Sequence, residues 1–198
     1  VSASPSSARL KTAVVLNGIS LRKKFFYKQL LPVLSRHLHI EVSETKSVND
    51  AVPLASKAVD KGYRLLLAAG GDGTLHQVLN GMLHNRENFA DLPALGVIPI
   101  GGGNDFARAL GLQADVAFID RLFTHLRFKK LDVGKVSFTI DDARPSRYFI
   151  NVLDAGMGPQ VVKAMQQGDR IFGSGFAYYT AIIKNFFTYR SMKVEAHT

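Results

Sequence analysis

Two glycine-rich stretches hold the residues with the clearest chemical use. The first is Leu66-Leu67-Ala68-Ala69-Gly70-Gly71-Asp72-Gly73-Thr74-Leu75-His76-Gln77-Val78-Leu79-Asn80-Gly81. A short apolar run stops at three glycines set around one carboxylate, and helical spacing resumes at Leu75, Val78, Leu79 and Met82. That order reads as a buried strand, a tight turn and a helix. Glycine leaves backbone amides uncovered, and successive bare amides aimed together with a helix N-terminus make an anion site. A carboxylate in that place repels a phosphate unless a cation or a donor stands between them. Asp72 is therefore expected to bind Mg²⁺, directly or through water, or to hold a hydroxyl or ribose group. The plainer reading is a sharp turn whose aspartate caps the helix.

The second stretch, Pro99-Ile100-Gly101-Gly102-Gly103-Asn104-Asp105-Phe106-Ala107-Arg108, repeats the arrangement. Asn104 or Asp105 alone reads equally as an N-cap, but three consecutive glycines are costly to order and capping does not require them. Ligands on open α/β sheets bind beyond the carboxyl ends of the strands. Two glycine turns at that edge predict one shared cleft.

The elements that position these turns follow from the apolar pattern. Strands are expected at residues 11–17, 39–42, 63–68 and 95–100. Between the first two, Phe26, Leu30, Leu34 and Leu38 stand four apart on a helix that Pro32 kinks or divides. Ser47 with Asp50 resembles a capping box ahead of a helix that runs to about Asp60 and stops at Gly62. Buried strands alternating with helices predict an α/β fold: a Rossmann-like parallel sheet with helices on both faces. After residue 126 the pattern changes. Strands at 128–131, 133–140 and 148–152 follow without an intervening helix, with a hairpin-like turn at Asp141-Asp142. Gly156-Met157-Gly158, a helical stretch at 161–166, an apolar helix at 176–187 and the start of a strand at 192–196 complete the chain. The expected organisation is a loose leader (1–9), an α/β nucleotide-binding domain (10–126) and the start of a β-rich substrate domain (127–198). So few elements close poorly into a core, and the second domain is expected to be incomplete.

Composition bounds the function. No cysteine is present, which excludes disulfides and thiolate chemistry. No apolar run approaches the roughly 20 residues of a membrane span. The net charge of +9 suits anionic partners, yet 14 basic against 10 acidic groups up to residue 126, and 11 against 6 beyond, leave no dense stripe. No nucleic-acid partner is therefore expected. The histidines (37, 39, 76, 84, 125, 197) show no metal-ligand spacing, so no side-chain metal centre is expected, and His76 is placed at the cleft rim without chemistry.

The two glycine motifs, together with Leu131-Asp132-Val133-Gly134 and Phe149-Ile150-Asn151-Val152 leading into Gly156-Met157-Gly158, resemble the diacylglycerol kinase catalytic family. The likeness covers residues 10–198 and extends to bacterial soluble lipid kinases and the sphingosine and ceramide kinases. The Gly-Gly-Asp-Gly turn alone is shared with the wider NAD kinase superfamily. The resemblance implies ATP and Mg²⁺ in a cleft between two domains, and transfer of the γ-phosphoryl of ATP to a lipid hydroxyl, diacylglycerol first. It places Asn17, Gly70, Gly71, Gly73, Thr74, Gly101, Gly103, Asn104 and Asp105 against the nucleotide, with Asp72 as the expected catalytic residue. Asp72 is not expected to be the general base, which the family carries in a later C-terminal segment. Arg22, Lys23, Lys24 and Lys28 meet phosphate oxygens on one reading and form a solvated helix face on the other.

Several positions depart from the family pattern. The first motif reads Asn17-Gly18-Ile19-Ser20-Leu21 where Asn-Pro-x-Ser/Ala-Gly is usual. Gly102 stands in place of a threonine, and His76-Gln77 replaces His-Glu. A lipid substrate implies transient contact with an anionic membrane surface, a cytoplasmic location peripheral to the inner membrane face, and leaves a homodimer open. The helix at 176–187, flanked by Arg170, Lys184, Arg190 and Lys193, is read first as core of the second domain and second as an interfacial face. The alternatives are an NAD kinase-like enzyme and a non-catalytic nucleotide-binding fragment that lacks the general base.

Overall fold

The computed structural model describes residues 9–84, 86, 88–139 and 143–153. The chain divides into two units, Val1–Asn151 and Val152–Thr198, and the architecture below is that of the first. Four strands form one sheet in the order β2-β1-β3-β4: β1 (Leu10–Leu16), β2 (Leu38–Glu44), β3 (Leu65–Gly70) and β4 (Ala94–Pro99). Every pairing in it is parallel. β3 is buried at all six residues, as its continuous apolar run requires of a strand covered on both sides.

Alternation along the strands divides the core in two. Ala13, Val15, Leu66 and Ala68 meet α3 (Ala51–Asp60) and α4 (Asp72–Leu83) through Ala51, Ala55, Leu75, Val78 and Leu79. Val14, Leu16, Leu65, Leu67 and Ala69 meet Phe26, Leu30, Val33 and Leu34 on the opposite face, joined by Ile119 and Phe123. Helices therefore cover both faces, as the sequence pattern predicts.

The helix before β2 stays continuous through Pro32. It comprises α1 (Lys23–Phe25), a π-helical turn (Phe26–Leu30) and α2 (Leu31–His37). Pro32 has no N–H to donate, and the backbone widens just ahead of it: the Leu31 N–H reaches back five residues to the Phe26 carbonyl. Leu38, expected as the last helical position, is already extended and opens β2. Ahead of α3, Asp50 accepts the N–H groups of Lys46 (2.7 Å) and Ser47 (2.8 Å) and the Ser47 hydroxyl (2.6 Å). This is one half of a capping box, because the serine donates to the carboxylate instead of receiving a helix amide.

Two short helices follow β4: α5 (Asp105–Ala109) and α6 (Val116–Thr124). The sequence reading has no helix at α6, although Asp115 caps it from the Phe118 N–H (2.9 Å) and Val116, Ile119 and Phe123 recur on one face. Residues 128–131 are not a strand, contrary to expectation; no ladder partner reaches them among the described residues, and Phe128 and Leu131 are exposed. The neighbouring strands form in part: β5 (Gly134–Ser137), within the expected 133–140, pairs antiparallel with β6 (Ser146–Phe149), which overlaps the expected 148–152 only at Tyr148 and Phe149. The expectations for Asp141-Asp142, for the leader at 1–8 and for everything from 154 onward, including Gly156-Met157-Gly158 and the helix at 176–187, lie outside the described residues.

One buried side chain ties the β5–β6 pair to α4. Asn80 accepts the Tyr148 N–H (2.9 Å) and donates to the Tyr148 carbonyl (2.9 Å) and the His76 carbonyl (2.8 Å), so it serves β6 as a missing strand neighbour would. No helix among the described residues is long and apolar enough to cross a membrane. Asn80→Ala leaves two backbone groups of Tyr148 without this partner. It is expected to destabilise the chain by about 1–3 kcal/mol, and hydrogen exchange should show the Tyr148 amide losing protection while β3 amides keep theirs.

Candidate functional site

Three turns are stitched together at the carboxyl edge of the sheet. The Asn17 N–H donates to the Ala69 carbonyl (2.8 Å), the Ile100 N–H to the Gly70 carbonyl (3.2 Å), and the Ser20 hydroxyl to the Ile100 carbonyl (2.7 Å). Strand order reverses between β1 and β3, so Asn17 and Gly70 stand on either side of the topological switch point, where α/β sheets open a crevice.

The two glycine turns meet backbone to backbone. A Cβ at Gly101 would overlap Gly71, and one at Gly71 would lie 3.3 Å from the Gly101 Cα. No side chain fits between them. Asn104 adopts the left-handed conformation (φ 57°), which its short polar side chain tolerates. Its side-chain oxygen accepts the Gly101 N–H (3.0 Å) and its amide donates to the Gly101 carbonyl (2.8 Å). Both functions close the turn.

Asp72 joins the turns. One carboxylate oxygen accepts the Asp105 N–H (3.0 Å) and the other the Phe106 N–H (3.0 Å). Asp72 is a helix cap, but for α5, more than 30 residues further along the chain, while Gly71 stands at the N-cap of α4. Burial on its own would raise the Asp72 pKa. The N–H groups of Phe106, Asp105, Asp72 itself and Asn104 outweigh it and hold the carboxyl below its ordinary value of 3.8. Asp105 turns outward to pair with Arg108 (2.9 Å), whose guanidinium also bonds the Gly103 carbonyl.

Beside this joint lies a cleft of about 380 Å³. Asn17, Gly73 and Thr74 line it, together with Ile19, residues 45–48, Ala51 and Gln77. The first backbone bond of α4 runs from the Leu75 N–H to the Gly71 carbonyl (3.1 Å), so the amides of Gly73 and Thr74 have no acceptor within the helix. They form the electropositive end of the cleft. The expected site residues thus separate into two groups. Asn17, Gly73 and Thr74 face the cleft, whereas Gly70, Gly71, Gly101, Gly103, Asn104 and Asp105 build the joint alongside it.

Sequence reasoning missed the wall supplied by the turn after β2, namely Thr45, Lys46 and Ser47. The signal was a polar run directly after a strand that pairs with β1. Of the four cations it did single out, none lines the cleft. Lys23 pairs with Glu44 (2.9 Å), Arg22 donates to the Ala114 carbonyl (3.2 Å), and Lys24 and Lys28 are exposed. His76 faces a second hollow of about 450 Å³ with His84 and Arg147, and partial desolvation, then Arg147, lower its pKa. Among the described residues no group of three acidic or histidine side chains is placed to hold a metal.

A doubly wound α/β domain with an open cleft at the carboxyl edge of its sheet is the class that this fold and site define. The chain belongs to the diacylglycerol kinase catalytic domain family, whose model matches residues 11–136. It is 36% identical over 189 residues to the diacylglycerol kinase of Staphylococcus saprophyticus, covering 93% of this chain and 57% of that one. With the diacylglycerol kinase of Staphylococcus aureus it shares 36% identity over 149 residues, 75% of this chain and 42% of that one. Among solved structures, a diacylglycerol kinase from Bacillus anthracis is similar with a TM-score of 0.58 and 26% identity, over 73% of this chain and 50% of that chain. A second B. anthracis structure, at 23% identity and a TM-score of 0.60, shares the fold over 81% of this chain and 55% of its own. The chain spans about half the length of the curated relatives it matches.

The low Asp72 pKa has a sign that can be measured. Its stabilising effect is complete above about pH 5, where the unfolded carboxyl is fully ionised, and is lost as pH falls through the lower folded value. Asp72→Asn removes this acid-sensitive component and weakens the cap by about 1 kcal/mol at neutral pH. Urea unfolding between about pH 2 and 5 should show the wild type losing stability more steeply than the variant. Parallel curves would exclude the cap.

Proposed function

We propose that this chain supplies the ATP-binding part of a lipid kinase that transfers the γ-phosphoryl of ATP to a lipid hydroxyl, diacylglycerol first. The observation that carries the reading is the pair of glycine turns locked by Asp72 beside a cleft whose floor is the bare N-terminus of α4. Family membership and the named activity of its relatives point the same way.

Phosphoryl transfer needs positioning and charge neutralisation more than covalent help from the protein. The amides of Gly73 and Thr74 and the Thr74 hydroxyl are suited to phosphate oxygens, and Lys46 supplies a cation on the facing wall. Asn17 and Thr45, which line the same cleft, are assigned to the sugar in this reading. A hard cation suits the Asp72 carboxylate, and Asp105 stands nearby, since both carboxylates lie within 4 Å of where a Gly103 Cβ would be. When bound, Mg²⁺ neutralises charge developing on the β- and γ-phosphates.

Asp72 is poorly suited to take the acceptor's proton. A carboxyl with a lowered pKa and both oxygens engaged is a weak base, so this reading assigns the base outside the described residues. A lipid acceptor also requires a membrane surface, and the net charge of +9 favours an anionic one. The cytoplasmic face of the membrane is the location implied.

The test is incubation of the complete protein with labelled ATP, Mg²⁺ and a panel of diacylglycerol, sphingoid base, ceramide and NAD. Label is expected in the lipid fraction, greatest on diacylglycerol. Transfer to NAD, or to none of the four, would reject the assignment. Asp72→Asn is expected to lower turnover by about 100-fold or more with an unchanged circular dichroism spectrum; full activity in that variant would remove Asp72 from the site.

A further inference from the structure

The hollow that holds His76 is separate from the cleft at the carboxyl edge of the sheet, and among the described residues only Gln77 lines both. Its volume of about 450 Å³ suits a small organic molecule. Three elements meet there. The turn before α3 contributes Asn49, held in the left-handed conformation (φ 74°). α4 and its C-cap contribute His76, Gln77 and His84, and β6 contributes Arg147. Asn80 fixes the arrangement, because by holding the N–H and carbonyl of Tyr148 it sets the neighbouring Arg147 beside α4.

The charge of this lining has one sign. Among the described residues Arg147 makes one hydrogen bond, to the carbonyl of Ser146 next to it (3.0 Å), and no carboxylate pairs with it. No acidic side chain among them lines the hollow. Desolvation and then the Arg147 charge lower the His76 pKa, so the two side chains stand close enough to interact. A guanidinium without an acid, set beside an imidazole and the carboxamides of Asn49 and Gln77, offers donors to an oxyanion.

The residue types narrow the ligand. His76 and His84 are eight residues apart, about 12 Å along a helix, too far to share one metal ion. A carboxylate presents two oxygens in one plane, whereas a phosphate presents oxygens in several directions and can use donors from different elements. Val52 and Pro53 add an apolar wall to the same hollow. We propose that the hollow between α3, α4 and β6 binds a phosphomonoester, with the phosphate on Arg147 and His76 and the organic part against Val52 and Pro53.

The test is calorimetry on the complete protein with inorganic phosphate, with glycerol 3-phosphate, and with phosphatidate vesicles that present the same group on a lipid. At least one ester is expected to bind more tightly than inorganic phosphate, and the tighter of the two identifies the source. Arg147→Gln should weaken that binding about tenfold or more through loss of a charge-assisted fork, and Arg147→Lys should weaken it less. Arg147 is exposed, so both variants are expected to fold as wild type does. Lys46→Gln removes the same charge from the first cleft and should leave the affinity unchanged. With the ester bound, NMR should show the His76 ring titrating at higher pH, while the resonances of His37, bonded to Asp120, stay in place. Absence of binding, equal affinity in wild type and Arg147→Gln, or a preference for inorganic phosphate would overturn the proposal. Loss of binding in Lys46→Gln instead would put the anion in the first cleft and overturn it as well.

Discussion

A carboxylate held between two turns governs the arrangement of the sheet edge. Asp72 opens α4 and accepts the first two amides of α5. α5 has only five residues, too few to be stable as an isolated helix, so its place depends on that cap and on the burial of Phe106 and Ala107. The bonds are charge-assisted, and their anion lies on the electropositive end of two helices. The same contact brings Gly71 against Gly101 and fixes the floor between β3 and β4. Asn104 closes the second turn upon itself, Ser20 joins the first turn to the Ile100 carbonyl, and the edge becomes one connected surface.

The sequence makes the sheet legible for a simple reason. Strands such as residues 65–70 are apolar throughout, and only a parallel strand covered on both faces needs that. The glycine turns are legible because three glycines around one polar residue have few other uses. Partners are harder to foresee. The Asp72 bonds reach 33 and 34 residues along the chain, and a capping aspartate read locally is assigned to its own helix. Lys46 escaped notice because its value depends on β2 lying beside β1, a consequence of topology and not of local pattern. Pro32 read as a break because the sequence does not show that one π turn can absorb it. The helix α6 had its cap and its apolar spacing in view, but nine residues between two turns gave a weak periodic signal. Residues 128–131 have apolar ends, Phe128 and Leu131, around two lysines, and so short a segment does not reveal whether a ladder partner lies beside it.

The departures from the family pattern have different physical standing. At Gly18 the neighbouring Thr45 carbonyl excludes any side chain. The substitution and the close approach of the two turns therefore belong together. At Gly102 a Cβ would meet nothing within 4 Å, so the space for the usual threonine is present and glycine is not demanded there. Gln77 in place of a glutamate removes a negative charge from the cleft wall, which lowers repulsion toward an anion at the cost of one potential cation ligand.

Residues that build a site and residues that touch its ligand are often treated as one set when a motif is read. Here they separate. The conformational demands fall on Gly71, Gly101 and Asn104, which have no spare hydrogen-bonding function to offer or no side chain at all. The groups open to the cleft are backbone amides of Gly73 and Thr74 and side chains from the turns that follow β1 and β2. Asp72 stands on the boundary, since it both caps α5 and opens the helix whose next two residues line the cleft. A carboxylate fixed in this way cannot swing to meet a ligand, so anything it coordinates must arrive in register with the turns that hold it. That rigidity is what the proposed phosphoryl transfer would require, and the cap on α5 accounts for a single acidic residue at the centre of a glycine turn.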